Sequence, residues 1–189
     1  MRKFLIVGLG NIGETYQGTR HNIGFTIIDS LAKQLEASEF EEVKHGSIAR
    51  ASYKGRSCLL LKPNTFMNLS GKAVSYHMQQ EKIGLDQLLI VTDDLNLPFG
   101  TIRIKPKGSD GGHNGLKDIQ TRLGTVSYPR FRFGIGNTFE QGRQVDFVLG
   151  RWTAEEQSTL DERLERSVAA IQSFVFAGLP QTMNSYNNS

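Results

Sequence analysis

FLIVGLGNIGETYQGTRHNIG, residues 4–24, opens with an apolar run, Phe4-Leu-Ile-Val7, that reads as a buried strand, and continues into a glycine loop. Ile23, Ile27, Ile28, Leu31 and Leu35 then recur at helical spacing, so the order is strand, loop, helix. The first half of the loop, Gly8-x-Gly10-x-x-Gly13, matches the dinucleotide fingerprint. That fingerprint needs a loop that turns straight into its helix, where the pyrophosphate sits, and an acid about 20 residues further on for the ribose. Here Gly18 and Thr19-Arg-His-Asn22 delay the helix to about residue 21–23, and the next strand pair ends in Leu61-Lys-Pro-Asn64 with no acid. Dinucleotide binding is disfavoured. A phosphate loop is excluded as well, because Gly71-Lys72 is followed by Ala73.

Outward from this stretch, Ser47 to Tyr53 and Arg56 to Leu61 flank Lys54-Gly55 as a hairpin. Asn68-Leu-Ser-Gly71 leads into a helix that runs to about Glu81. Leu88-Leu-Ile-Val91 is a second apolar strand, and it ends at Thr92-Asp93-Asp94, where open α/β sheets place their sites. Thr101 to Lys105 alternates, with Arg103 and Lys105 on one face and Ile102 and Ile104 on the other. The glycine-rich loop Gly108 to Gly115 opens a helix with Leu116, Ile119 and Leu123 inward and Gly124 as its stop. Arg130 to Gly136 alternates again, presenting Arg130 and Arg132 opposite Phe131 and Phe133. Thr153-Ala-Glu-Glu156 is a capping box, and Leu160, Leu164, Val168, Ile171 and Val175 stripe a long helix closed by Gly178 and Pro180. Glu36 to Lys44 reads as a solvated helix end and loop.

These elements predict one three-layer α/β domain over residues 1–189, a twisted mixed sheet with helices on both faces. The C-terminal helix, about 153–178, is expected to pack over the sheet. With 189 residues and 38% hydrophobic composition, the chain is long enough for one core and has no linker or repeat that divides it. A single cysteine, Cys58, excludes a disulfide framework and a cysteine-cluster metal site, and it fits a reducing compartment. Glycines interrupt the N-terminal apolar run before it reaches the length of a signal segment or a membrane span, so a cytoplasmic soluble protein is expected. The net charge of +3 permits an anionic partner without requiring one.

Candidate chemistry centres on His21, placed where a loop meets a helix. A lone histidine is more often a structural residue. Asp93, leaving an apolar strand at the same sheet edge, is placed to orient an imidazole and stabilise its charged form. Asn11, Asn68 and Asn114 sit in loops after strands, where carboxamides can hold the donors and acceptors of a peptide. No GxSxG presents a nucleophile, and Ser70 reads better as a helix cap. His21, His45, His77 and His113 lack metal-ligand spacing, and each reads as a surface, cap or pocket residue. A histidine and an aspartate without a nucleophile suggest a base acting on water.

With these residues in place the chain closely resembles the bacterial peptidyl-tRNA hydrolase family. The resemblance rests on Leu5-Ile-Val-Gly-Leu-Gly-Asn11, Thr19-Arg-His-Asn22, Thr65-Phe-Met-Asn-Leu-Ser-Gly-Lys-Ala-Val74, the Asp93 turn, Gly111-Gly-His-Asn-Gly-Leu-Lys-Asp118 and Phe147-Val-Leu-Gly150. It implies hydrolysis of the ester between a nascent peptide and the 3′ ribose of tRNA, which recycles the tRNA with no cofactor and no metal. It also implies His21 as general base, Asp93 as its orienting acid, and Asn11 and Asn114 as groups that position the peptide and the attacked carbonyl. Asn68 and Met67 would line the peptide channel beside Tyr16. Lys105 and Arg132 would clamp the tRNA 5′ phosphate, a role suited to the polar faces of their strands, with solvated edge charges as the lesser alternative. Met67 and Tyr16 are, on their own, ordinary core or rim residues.

The chain departs from the family pattern in three places. Ile12 stands where proline is usual, Thr92-Asp-Asp-Leu-Asn96 where His-Asp-Glu-Leu-Asp is common, and Ser109-Asp110 where Gly-His often occurs. The first loosens the loop, and the others change charge near Asp93 and the tRNA side. Beyond residue 150 the resemblance is weaker. The expected partner is peptidyl-tRNA, the expected state a monomer, and the alternative a non-catalytic RNA-binding homologue of the same fold.

Overall fold

The computed structural model describes residues 1–189 and is built on one seven-stranded sheet. Its strands are β1 (Lys3–Gly8), β2 (Glu41–Val43), β3 (Gly46–Tyr53), β4 (Arg56–Pro63), β5 (Leu88–Asp94), β6 (Ile102–Lys105) and β7 (Arg130–Gly134). Their spatial order is β2-β3-β4-β1-β5-β7-β6. The central strands run parallel, β1 against both β4 and β5, and β5 against β7. The outer pairs β2–β3, β3–β4 and β6–β7 are antiparallel.

Because β1 and β5 are apolar on both sides, each sheet face must be covered. Ile23, Ile27 and Ile28 of α1 (Ile23–Gln34) and Leu164, Val168 and Ile171 of α5 (Ala154–Ala177) pack with Ile6, Val91, Phe131 and Phe133 on one face. On the other face, Ala73 and Val74 of α2 (Ser70–Glu81) and Leu116 and Ile119 of α3 (Asn114–Leu123) pack with Leu5, Val7, Leu61 and Ile90. The result is the expected three-layer α/β architecture with a mixed sheet. Thr153 and Glu156 close the capping box of α5 as the sequence indicated.

Gly8, the first glycine of the opening motif, and Gly24 of α1 are required by close packing. A Cβ on Gly8 would lie 2.2 Å from the Gly24 carbonyl oxygen, and one on Gly24 would lie 2.6 Å from the Leu9 backbone. Strand and helix therefore meet backbone to backbone, which fixes α1 over the end of β1.

Three elements escaped the sequence reading. The stretch read as solvated loop contains β2, whose Glu41 and Glu42 lie opposite Ile48 and Ser47 in an antiparallel pair. A short α4 (Gln144–Val148) lies in the segment before Gly150. Pro180 does not end the helical region; it sits in the first turn of α6 (Leu179–Tyr186), where a missing N–H costs nothing.

Arg130 corrects another expectation. It lies on the same sheet face as Arg132, but it is 0% exposed. Its guanidinium sits 4.0 Å from the Tyr128 ring centroid and donates to the carbonyls of Gly108 and Val126. This arginine ties down the glycine loop ahead of α3.

The free side of β6 is sealed by the last residues of the chain. Ile102 donates to the Ser189 carbonyl at 3.0 Å and accepts from the Asn188 N–H at 2.9 Å. The Asn187 carboxamide accepts from the Ile104 N–H at 2.6 Å and donates to its carbonyl at 3.0 Å, standing in for a peptide unit.

Candidate active site

The carboxyl ends of β1, β4 and β5 bring together the loop at Asn11, the turn at Met67 and the side chain of Asp93. His21 arrives on the short 3-10 turn Arg20–Asn22 that precedes α1. Several bonds hold this turn. Arg20 donates its backbone N–H to the Gly150 carbonyl at 2.9 Å, and its guanidinium pairs with Glu156 at 3.1 Å. The same guanidinium lies 4.2 Å from the Phe147 ring centroid. His21 is thus fixed from the side of α5 before any partner at the site is counted.

His21 Nδ1 lies 2.8 Å from Asp93 Oδ2. The other carboxylate oxygen, Oδ1, lies 2.8 Å from His113 Nε2. The protonation pattern follows from α3, because His113 is its N-cap and His113 Nδ1 accepts from the backbone N–H groups of Gly115 and Leu116. Nδ1 therefore carries no proton, and Nε2 must be the donor to Asp93. Thr92 Oγ1, 2.7 Å from the same Nε2, completes the cluster. A threonine at position 92 fits this arrangement because its hydroxyl can both accept and donate.

Asp93, 5% exposed, is a buried carboxylate held by two imidazoles. Burial alone would raise its pKa, but the charge of His21 and the hydrogen bonds from His113 and His21 hold it far below the usual carboxylate range. Burial likewise lowers the pKa of His21, and the Asp93 charge and hydrogen bond more than reverse this, leaving a net rise. The Nε2 of His21 has no protein partner and is left as the basic atom of the site.

His21, Asp93 and His113 place ligand-type atoms within 4.8 Å of one another. In this arrangement those atoms are spent on each other, and His113 Nδ1 on the α3 amides, so the cluster is a hydrogen-bond network. A metal ion about 2 Å from each atom would have to replace those bonds.

Asn11 is held by Asn22, whose side chain accepts from the Asn11 N–H and donates to the Asn11 carbonyl, both at 2.8 Å. Asn11 Oδ1 in turn accepts from the Met67 N–H at 2.8 Å. This leaves the Asn11 Nδ2 hydrogens to the cleft. Asn68 is exposed on the turn ahead of α2, Asn114 is exposed as the first residue of α3, and Tyr16 is half-buried at the end of the turn Glu14–Tyr16. Met67 differs from its expected place. It is 5% exposed and packed in the core, reaching the site through its backbone, while the neighbouring Phe66 is 59% exposed. Ser70 begins α2 without capping it and donates instead to the Met67 carbonyl.

Lys105 is exposed on β6, directly opposite Arg130, and Arg103 lies opposite Arg132. Arg132 is half-buried and restrained, 3.4 Å from Asp94 and 2.8 Å from the Ser109 carbonyl. A recess of about 40 Å³ lies between Arg132 and His113, with Asp93, Asp94 and Asp110 also in its wall. Sequence reading missed Asn22, Arg20 and the double use of His113. The only signal was their position beside His21 or at a helix start.

A model of the peptidyl-tRNA hydrolase family matches residues 5–189 of the chain. The chain is 56% identical over 185 residues to the peptidyl-tRNA hydrolase of Porphyromonas gingivalis, covering 98% of this chain and 100% of that one. It is 44% identical over 184 residues to the protein of that name from Bacillus cytotoxicus, covering 97% and 99%. The solved structure of peptidyl-tRNA hydrolase from Acinetobacter baumannii is similar with a TM-score of 0.91 and 35% identity, over 98% of this chain and 96% of that one.

Proposed function

The chain belongs to the peptidyl-tRNA hydrolase family, and on that premise we propose that it cleaves the peptidyl-tRNA ester with His21 as general base. The observation that carries this assignment is the bare Nε2 of an imidazole whose Nδ1 is held by a buried carboxylate. His21 Nε2 takes a proton from water as the water oxygen bonds to the ester carbonyl carbon. The oxyanion that forms accepts from Asn11 Nδ2. Collapse breaks the bond to the ribose 3′ oxygen, which leaves with the proton from the imidazolium, giving a peptide acid and a free tRNA. Asp93 keeps the imidazole in the required tautomer and stabilises its charged form without itself changing protonation.

Asn68 and Asn114 hold the peptide backbone, Tyr16 borders the channel, and Met67 shapes it from beneath. Lys105 and Arg132 take the tRNA phosphate, which gives affinity without reading sequence, as an enzyme for many tRNAs requires. No helix is long and apolar enough to cross a membrane. The protein works as a monomer in the cytoplasm, without a metal or cofactor. The hydrolase relatives support this catalytic reading over a non-catalytic homologue.

The test is release of N-acetylated amino acid from tRNA, with unacetylated aminoacyl-tRNA as control and His21→Ala beside the wild type. General-base assistance is worth about 10²–10⁴-fold, so the variant should lose turnover by that factor and keep tRNA binding. Unchanged turnover would remove His21 from the reaction.

A further inference from the structure

A second concavity lies beside the catalytic loop. It is a cleft of about 540 Å³ over the carboxyl ends of β4 and β2 and the start of β3, walled by the loop after β1 and the first turns of α1. Asn11 lines it, so it begins where the catalytic cluster ends. Ile12, 47% exposed, stands at this junction, and Phe25 contributes an aromatic wall.

The order of strands gives the substrate a direction. Lys105 and Arg132 lie on β6 and β7 at one side of the sheet, Asp93 on β5 in the middle, and the cleft over β4, β3 and β2 at the other side. A substrate whose phosphate sits on β6 and β7 and whose ester sits at β5 must send its peptide across β1 toward β4. Neighbouring strands are about 4.8 Å apart, so β4 is about 10 Å from β5, which an extended chain at about 3.3 Å per residue covers in three residues.

The charge of the cleft is acidic. Glu14, Asp29 and Glu42 line it with one cation, Lys62, and Lys62 is committed to Asp29 at 2.6 Å and to the Phe40 ring at 4.2 Å. Glu42 accepts only from the Ser47 hydroxyl, at 2.6 Å, and Glu14 pairs with no cation. Two carboxylates are therefore available to an occupant.

We propose that this cleft is a distal peptide subsite, taking residues from about the third upstream of the ester, and that Glu14 and Glu42 make it favour basic side chains there. The inference rests on the peptidyl-tRNA reading, and it adds a specificity that the ester chemistry does not contain. Solvent-exposed charge pairs are individually weak, so the preference is about three- to tenfold at low salt and shrinks as ionic strength rises.

The experiment compares kcat/KM on tRNA carrying N-acetylated heptapeptides with lysine or glutamate at the third to sixth positions from the ester. Each value is divided by that of the same protein on N-acetyl-aminoacyl-tRNA, which is too short to reach the cleft. The wild type should favour the lysine peptide, and Glu14→Lys with Glu42→Lys should abolish or invert the ratio. A ratio of one in the wild type, or one the double variant leaves unchanged, would overturn the subsite. Failure to cleave the short substrate would instead overturn the ester-hydrolase reading. A thermal melt of the double variant shows that the altered ratio comes from a folded protein.

Discussion

His113 performs two tasks with two nitrogens, and the tasks can be separated by substitution. Nδ1 caps α3 by accepting from Gly115 and Leu116, and Nε2 donates to Asp93 at 2.8 Å. His113→Asn keeps an acceptor of the right length for the cap but falls short of Asp93. His113→Ala loses both. An N-cap is worth about 1 kcal/mol, which in a protein of this size is about 2–4 °C in melting temperature. The alanine variant should melt lower by that amount, and the asparagine variant should melt within about a degree of wild type.

Activity should behave differently, with both variants slow. A buried hydrogen bond to a charged group contributes about 1.5–3 kcal/mol, or about 10- to 100-fold in rate if the lost bond is fully expressed in the transition state. The Thr92 hydroxyl, 3.3 Å from Asp93 Oδ1, remains as a partial donor and points to the lower half of that range. Steady-state kcat on N-acetyl-aminoacyl-tRNA and a calorimetric melt measure the two effects. An asparagine variant with wild-type kcat would show that the second histidine does not support Asp93 in the reaction. Equal melting of the asparagine and alanine variants would refute the capping argument.

Asp93→Asn should reduce turnover less than His21→Ala and displace the acid limb of the kcat/KM profile. The Asp93 charge is what lifts the His21 pKa against burial, so its removal should move the limb to lower pH, and a profile matching wild type would contradict the pairing. Lys105→Ala combined with Arg132→Ala should raise KM and flatten its dependence on salt with kcat nearly kept, whereas a pure fall in kcat would disprove the phosphate clamp. Gly24→Ala puts a methyl group 2.6 Å from the Leu9 backbone, where nothing flexible can yield. A cost of about 3 kcal/mol or more, seen as a melting temperature about 6–12 °C lower, is expected, and a melt unchanged from wild type would refute the close approach.

The central strands were legible because burial on both faces leaves an unbroken apolar run, and the long helices because their stripes repeat at helical spacing. β2 was not legible. Glu41-Glu42-Val43 is held by backbone pairing at a solvent-facing edge, so no apolar periodicity marks it. Pro180 misled for a related reason, since proline fits the first turn of a helix as well as the residue after one. At the site, strand ends and loop positions pointed to His21, Asp93 and the asparagines. The burial of Arg130 depends on carbonyls that face it only once the loop before α3 folds back. The bond between Asp93 and His113 joins residues 20 apart on different elements, which no local pattern reports.

The tail lying along β6 also bears on how the molecule behaves among copies of itself. A bare edge strand is a template onto which another chain can add, and a long apolar one invites aggregation. On β6 the outward N–H and C=O groups of Ile102 and Ile104 are already satisfied by Asn187, Asn188 and Ser189. At the opposite edge, β2 is only three residues long and carries two glutamates. One margin is blocked by the chain's own amides and the other by brevity and charge, so the sheet can remain open at both ends in a crowded solution without recruiting a neighbour.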